Sequence, residues 1–168
     1  RYFNWIDCPF IENSGMYELN PASQSDNNCY QIRSPYSETQ HFVIEYRKQE
    51  GMYDSYLPGS YDGMLIFRIN LDINNNNIID TLDVYGEDEV LAGWDVGGNG
   101  MGPPDELYVY RQNGTFSNNG NVYSAIFSSQ SGRIEINDST LPSSFLHGGD
   151  PGGLNISSIG IPNETIEF

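Results

Sequence analysis

Acidic and amide side chains recur at short, regular intervals in the stretch "LDINNNNIIDTLD", residues 71–83. When the first aspartate is counted as position 1, oxygen ligands fall at the positions used by the twelve-residue calcium loop, in which position 7 binds through its backbone carbonyl. The residues at positions 1, 3, 5, 7, 9 and 12 are Asp72, Asn74, Asn76, Ile78, Asp80 and Asp83. Hard oxygen ligands without histidine or cysteine suit calcium better than zinc or copper. The spacing therefore predicts a calcium site.

Two positions of this loop depart from the usual pattern. Asn77 stands at position 6 in place of glycine, and Asp83 stands at position 12 in place of glutamate. Asparagine tolerates the left-handed backbone that position 6 needs, whereas the shorter arm of Asp83 predicts modest affinity. Bound calcium would offset the repulsion among the three aspartates, so we expect a stabilising role. The alternative is a solvated, asparagine-rich turn.

The composition, rich in Gly, Asn, Ser and Tyr and poor in Lys, indicates together with the two cysteines an extracellular chain. Cys8 and Cys29 are the two cysteines, and a disulfide between them would stabilise the fold by about 3 kcal/mol through loop closure. Two buried thiols are the alternative. The N-x-S/T motif marks four candidate glycosylation sites, several of which would arise by chance in a chain so rich in asparagine and serine. They are Asn113, Asn137, Asn155 and Asn163.

Motifs for catalysis are missing from the sequence. The only histidines are His41 and His147, and neither an H-E-x-x-H zinc motif nor a G-x-S-x-G nucleophile motif occurs. Two routes to hydrolysis remain, a Ser-His-Asp arrangement without a local signature and a pair of carboxylates brought together by the fold. We expect no independent catalysis.

Size and charge narrow the function classes further. The 168 residues fit a single domain, in which a subdivision could fall near residues 86–104. The formal net charge of −16 repels nucleic acid and anionic membranes and favours cations. No apolar run has the length of a membrane span, and no signal peptide is present. A mature, secreted segment without membrane insertion is expected.

The elements that must position these residues are short strands. Runs rich in Tyr, Phe, Ile and Val alternate with Gly, Pro, Asn and Ser clusters, which predicts an all-β, antiparallel sandwich or jelly roll with long Gly- and Asn-rich loops and little helix. The unbroken apolar runs at 41–47 and 63–70 predict central strands covered on both faces. The other predicted strands are 15–19, 29–34, 106–110, 122–127, 133–136, 154–159 and 164–168.

The order of several segments resembles the β-rich region that follows the catalytic helix of immune-inhibitor-A-like secreted zinc metallopeptidases. The segments that carry the resemblance are "FNWIDCPFIENSGMYELN", "HFVIEYR", "YLPGSYDGMLIFRIN", "DELYVYR" and "LNISSIGIPNETIEF". The resemblance implies a β scaffold from the post-catalytic part of such an enzyme. The zinc-binding H-E-x-x-H segment is absent from these residues, so no catalytic residue is carried over.

Three functions are consistent with these observations. The first is a non-catalytic, calcium-stabilised extracellular β domain that acts as a scaffold or assembly module, with an upstream catalytic domain as its partner. The second is a subunit of an extracellular homopolymeric filament or surface layer, in which the chain binds itself. The third is a carbohydrate-binding module with Trp5 and Trp94 as stacking platforms.

Overall fold

A computed structural model describes residues 8–24, 26–50, 54–56, 59–70 and 107–168. The proposed calcium ligands lie outside the described residues, as do Trp5, Trp94 and the 86–104 stretch. The proposed calcium ligands in question are Asp72, Asn74, Asn76, Ile78, Asp80 and Asp83.

The described residues form two antiparallel sheets. The strands are β1 (Glu18–Leu19), β2 (Cys29–Arg33), β3 (Gln40–Arg47), β4 (Gly63–Asn70), β5 (Leu107–Val109) and β6 (Ile166–Glu167). One sheet has the order β2-β3-β4-β5, and the other pairs β1 with β6. The prediction of an all-β fold is confirmed, and β3 and β4 are the central strands of the larger sheet.

The pattern of burial explains why β3 and β4 lie at the centre. Phe42, Ile44 and Ile66 are fully buried on one face, and Ile44 lies directly opposite Ile66 in the antiparallel register. Val43 and Phe67 point to the other face and are half-buried. The apolar runs without polar alternation therefore belong to strands that keep both faces at least partly out of water.

An aromatic cluster joins the larger sheet to the C-terminal half of the chain. Tyr110 packs between Phe42 and Phe145, and its hydroxyl donates a 2.6 Å hydrogen bond to the backbone oxygen of Phe145. The fully buried Arg68 lies with its guanidinium carbon 5.5 Å from the ring centre of Tyr108. Burial of the Tyr110 hydroxyl raises its pKa strongly, so this phenol stays protonated and remains a donor.

Three predicted strands in the C-terminal half are wrong. Residues 122–127 contain the 3-10 helix Val122–Ser124, because the Asn121 side chain accepts a 3.0 Å hydrogen bond from the backbone nitrogen of Tyr123 and starts a helical turn. Residues 133–136 and 154–159 contribute only isolated bridges, among them Ile136 to Ile156. Ser158, within the predicted strand 154–159, has a left-handed backbone with a φ of 60°, which is incompatible with an extended strand.

The N-terminal and C-terminal ends of the described chain complete the sheets. Tyr17 and Phe168 exchange two backbone hydrogen bonds of 3.0 Å, which continue the pairing of β1 with β6. Phe10 forms a parallel bridge with Gln31 and so covers the outer edge of β2. Among the described residues, no helix has the length and apolar character that crossing a bilayer requires.

Candidate binding cleft

A cleft of about 160 Å³ opens between the segment that leads into β4 and the loop-rich segment that follows β5. Its lining is divided about equally between polar and apolar surface and combines hydroxyl groups, one amide, one guanidinium, one isoleucine and two tyrosines. The lining residues are Ser60, Tyr61, Gln112, Tyr123, Ser124, Ile126, Ser131 and Arg133.

Two glycines allow the walls of the cleft to approach each other. Gly59 has a φ of 107°, and a Cβ atom there would lie 3.0 Å from the backbone oxygen of Tyr123. Gly63 has a φ of 151°, and its Cβ atom would lie 2.5 Å from the backbone oxygen of Phe127. Real Cβ atoms do not approach an oxygen as closely as 2.5 Å, so the packing at Gly63 requires glycine, and at Gly59 the positive φ and the tight contact both favour glycine. Next to it, Met64 and Phe127 exchange backbone hydrogen bonds of 2.8 and 2.9 Å, which fix the two walls to each other.

Backbone pairing also holds the wall that carries Tyr123 and Ser124. The backbone nitrogen of Gln112 donates a 3.0 Å hydrogen bond to Ser124, and the backbone nitrogen of Asn121 donates one of 3.0 Å to Gln112. The Asn121 side chain caps the short helix between them. Tyr123 is therefore presented from a turn with fixed backbone, not from a loose loop.

Arg133 is the one charged residue among those that line the cleft. Its guanidinium carbon lies 3.5 Å from the centre of the Phe127 ring, and Nη1 donates a 2.5 Å hydrogen bond to the backbone oxygen of Ser124. Burial lowers the pKa of Arg133 to about 10, and Tyr108 acts in the opposite direction. Even so, Arg133 is charged at neutral pH. Its Nη2 is buried and has no hydrogen-bond partner among the residues the structure describes.

Four other side chains offer unused polar groups. Tyr61 is 47% exposed and Tyr123 is 68% exposed. Ser60 and Gln112 are exposed as well. Within the described part of the chain, none of these four side chains bonds to another protein group through its own hydroxyl or amide. The cleft can therefore offer aromatic surface, neutral donors and acceptors, and one positive charge to a ligand.

Cys8 and Cys29 come from neighbouring backbone segments. The backbone nitrogens of Gln31 and Ile11 donate 2.8 Å hydrogen bonds to Pro9 and Gln31 respectively, in the parallel pattern that surrounds the Phe10 bridge. Continuing this register toward the N-terminus sets Cys8 opposite Cys29. The structure contains no disulfide bond between them, and the disulfide stays a prediction.

The sequon asparagines are spread over the surface of the C-terminal half. Asn113, Asn155 and Asn163 are exposed, whereas Asn137 is half-buried and accepts a 2.8 Å hydrogen bond from the backbone nitrogen of Ser139. Exposure makes the first three better acceptors for a glycan, and glycosylation itself stays a prediction.

Within the described residues, the two histidines are not part of a common metal site. His41 is on β3 against Phe10 at a ring distance of 6.0 Å, and burial lowers its pKa. The backbone nitrogen of His147 bonds to Gln40 at 2.8 Å. No group of three or more histidine, cysteine or acidic side chains able to hold a metal occurs among the described residues.

Sequence reasoning missed the cleft because its residues come from three separate stretches. The paired glycines around "GSYDG", residues 59–63, are a usable signal in retrospect, since they frame Tyr61. Nothing in the sequence near Arg133 indicates its burial. The chain matches no protein-family model, no curated protein and no solved structure.

Proposed function

We propose that the chain is a non-catalytic, extracellular β domain that binds a saccharide in the cleft between Tyr61 and Tyr123. The observation that carries the proposal is the composition of that cleft: exposed tyrosines beside hydroxyl, amide and guanidinium groups on a fixed backbone.

The chemistry of sugars matches this lining. A pyranose ring has apolar C–H faces that pack on aromatic side chains, and its hydroxyls need several donors and acceptors at once. Tyr61 and Tyr123 supply the first, and Ser60 and Gln112 supply the second. A purely apolar ligand would leave these polar groups without partners, which costs free energy.

The aromatic rings on which the sugar would stack are Tyr61 and Tyr123, whereas the sequence suggested tryptophans. Trp5 and Trp94 lie outside the described residues, so their part in binding stays a prediction. The wider description also stays a proposal: a secreted scaffold domain, stabilised by calcium and by a Cys8–Cys29 disulfide, related to the post-catalytic region of a metallopeptidase. The filament or surface-layer subunit is the alternative assembly state, which sedimentation analysis separates from a monomer.

A glycan array followed by titration of the best ligand tests the proposal. Tyr123→Ala and Tyr61→Ala should each weaken binding by about tenfold, since stacking on one aromatic ring contributes on the order of 1–1.5 kcal/mol. Tyr36→Ala is the matched control, because Tyr36 is 66% exposed and does not line the cleft. Equal loss in all three variants, or no glycan bound by the wild type, would contradict saccharide binding at the cleft.

Removal of calcium tests the loop separately from the cleft. At a calcium concentration a hundredfold above the dissociation constant, the bound ion adds about 2.7 kcal/mol of stability, so excess chelator should lower the Tm by about 5–10 °C. Asp72→Asn and Asp80→Asn should reduce that shift. An identical Tm with calcium and with chelator would contradict the calcium site and leave the cleft untouched.

A further inference from the structure

The environments of two arginines show what Arg133 lacks. Arg47 on β3 donates to the carboxylates of Glu45 at 2.7 Å and of Asp54 at 2.9 Å, and these carboxylates raise its pKa against the effect of burial. Arg133 is also largely withdrawn from water, but within the described residues it has no carboxylate partner. A desolvated cation without an anion nearby is unfavourable for the free protein.

The groups that contact Arg133 in the described residues are uncharged: one aromatic ring and two backbone oxygens. Phe127 covers one face of the guanidinium, and the backbone oxygens of Ser124 and Ile126 accept from Nη1 at 2.5 and 3.4 Å. Nη2 is left with its donors unused in the described part of the molecule. These contacts hold the guanidinium plane in place and do not neutralise its charge.

We propose that the ligand of the cleft is a hexuronate, a pyranose whose carboxylate pairs with Arg133 while its ring lies against the tyrosines. This inference rests on the proposed saccharide binding and adds the class of sugar. A carboxylate in the cleft would supply the negative charge that this guanidinium lacks among the described residues, and arginine is the cation whose planar shape best matches a carboxylate.

The charge of the whole chain limits how many carboxylates the ligand carries. A net charge of −16 repels a densely charged polyanion, and Arg133 is the one charged residue among those that line the cleft. The ligand that fits both facts is an isolated uronic acid within a mostly neutral saccharide. Raising the salt concentration should therefore weaken this binding only modestly, because the local pair is shielded from water and the repulsion is screened.

The experiment compares each acid with its parent sugar on the intact protein. Methyl glycosides of glucuronic, galacturonic and mannuronic acid are titrated beside the corresponding neutral glycosides and glucoside 6-sulfate, with binding followed by NMR. At least one acid should bind about 10–100 times more tightly than its neutral parent, the fold-change expected for one charged hydrogen-bonded pair. The 6-sulfate, which is tetrahedral at sulfur, should bind more weakly than the acid.

Variants at Arg133 assign this preference to the guanidinium. Arg133→Gln should abolish the preference for the acid, and Arg133→Lys should retain part of it because the charge remains without the planar fork. Arg33→Gln is the matched control, since it removes the same charge from exposed Arg33 at the opposite end of the sheet. If Arg133→Gln does not fold, the acid-to-neutral ratio of the wild type and the Arg133→Lys result still decide.

The outcomes separate the two proposals. Equal affinity for acid and parent sugar, or tighter binding of the sulfate, would overturn the hexuronate assignment and leave saccharide binding standing. The absence of binding to every acidic and neutral saccharide would overturn both. Preference for the acid that persists in Arg133→Gln would also overturn the role of Arg133.

Discussion

The four-stranded sheet and the segment from Arg111 to Thr165 are built by different means. In β3 and β4, hydrophobic side chains on one face are fully buried and backbone pairing is continuous over eight residues of each strand. Between Arg111 and Thr165 the backbone forms isolated bridges and turns, fixed by side chains that bond to nearby backbone groups.

The two regions share a core but differ in what they bring to the cleft. Both contribute buried side chains, among them Ile44 from the sheet and Phe145 from the turn-rich segment, whereas Tyr123 and Arg133 of the turn-rich segment line the cleft. Loops on a rigid scaffold commonly carry binding groups, because their polar backbone must stay near water. Substitutions in the sheet should therefore affect folding first, and those in the turns should separate folding from binding.

The largest expected effect is the loss of a core aromatic ring from the sheet. Phe42 is fully buried on β3 and packs against Tyr110, so Phe42→Ala should lower the free energy of unfolding by about 3–5 kcal/mol in denaturant titration. A loss below about 1 kcal/mol would contradict the packing described for the sheet.

The junction between the two regions should be the next most sensitive. Gly63→Ala places a methyl group against the backbone of Phe127 and should cost about 2–3 kcal/mol. Gly132→Ala is the control with a φ of 74° and no atom within 4 Å of its new methyl group, so it should cost only about 1 kcal/mol of backbone strain. Thermal unfolding of both variants measures the difference, and equal costs would contradict the close approach.

A single carboxylate should account for much of the order in the turn-rich segment. Oδ1 of Asp138 accepts hydrogen bonds from the backbone nitrogens of Gly152 at 3.0 Å and Gly153 at 3.1 Å, and Ser144 also donates to it. Asp138→Ala should cost about 1–3 kcal/mol, because these donors lose a charged acceptor. The exposed Asp150 provides the control. If Asp150→Ala costs as much stability as Asp138→Ala, the stabilising role of the hydrogen bonds to Asp138 is contradicted.

The smallest effect concerns the charge at Glu45 on the half-buried face of the sheet. Burial raises the pKa of Glu45, although Arg47 beside it acts in the opposite direction. A carboxyl whose folded pKa is raised contributes stability below its unfolded pKa and loses it as the pH rises through the folded pKa. Glu45→Gln should therefore gain stability relative to the wild type as the pH rises from 4 to 7. Denaturant titrations across this pH range measure the trend, and a difference in stability that does not change with pH would contradict it.

The sequence predicts the sheet better than the turns for a physical reason. The apolar runs of β3 and β4 by themselves predict buried strands, so the existence and the bounds of both strands follow from composition. Residues 122–127 have a similar composition but form a 3-10 helix, because the cap by Asn121 and the pairing of Gln112 with Ser124 are decided by contacts outside the run. Short apolar runs do not encode this choice.

The cleft was beyond sequence reasoning because it depends on contacts distant along the chain. Gly59 meets Tyr123, and Gly63 meets Phe127, so the walls are defined only after β4 has paired. The calcium loop is the opposite case, because all of its ligands lie within one short stretch whose spacing is readable. It stays a prediction, since residues 71–106 lie outside those described.

The most direct test of the cleft is a map of backbone and arginine NMR signals during titration with the tightest-binding saccharide. Saccharide binding at the cleft predicts that shifts concentrate at Tyr61, Gln112, Tyr123 and the side-chain signal of Arg133. Signals around Tyr36 should stay in place. A bound saccharide that shifts none of the cleft signals, or that shifts only signals elsewhere, would contradict the account.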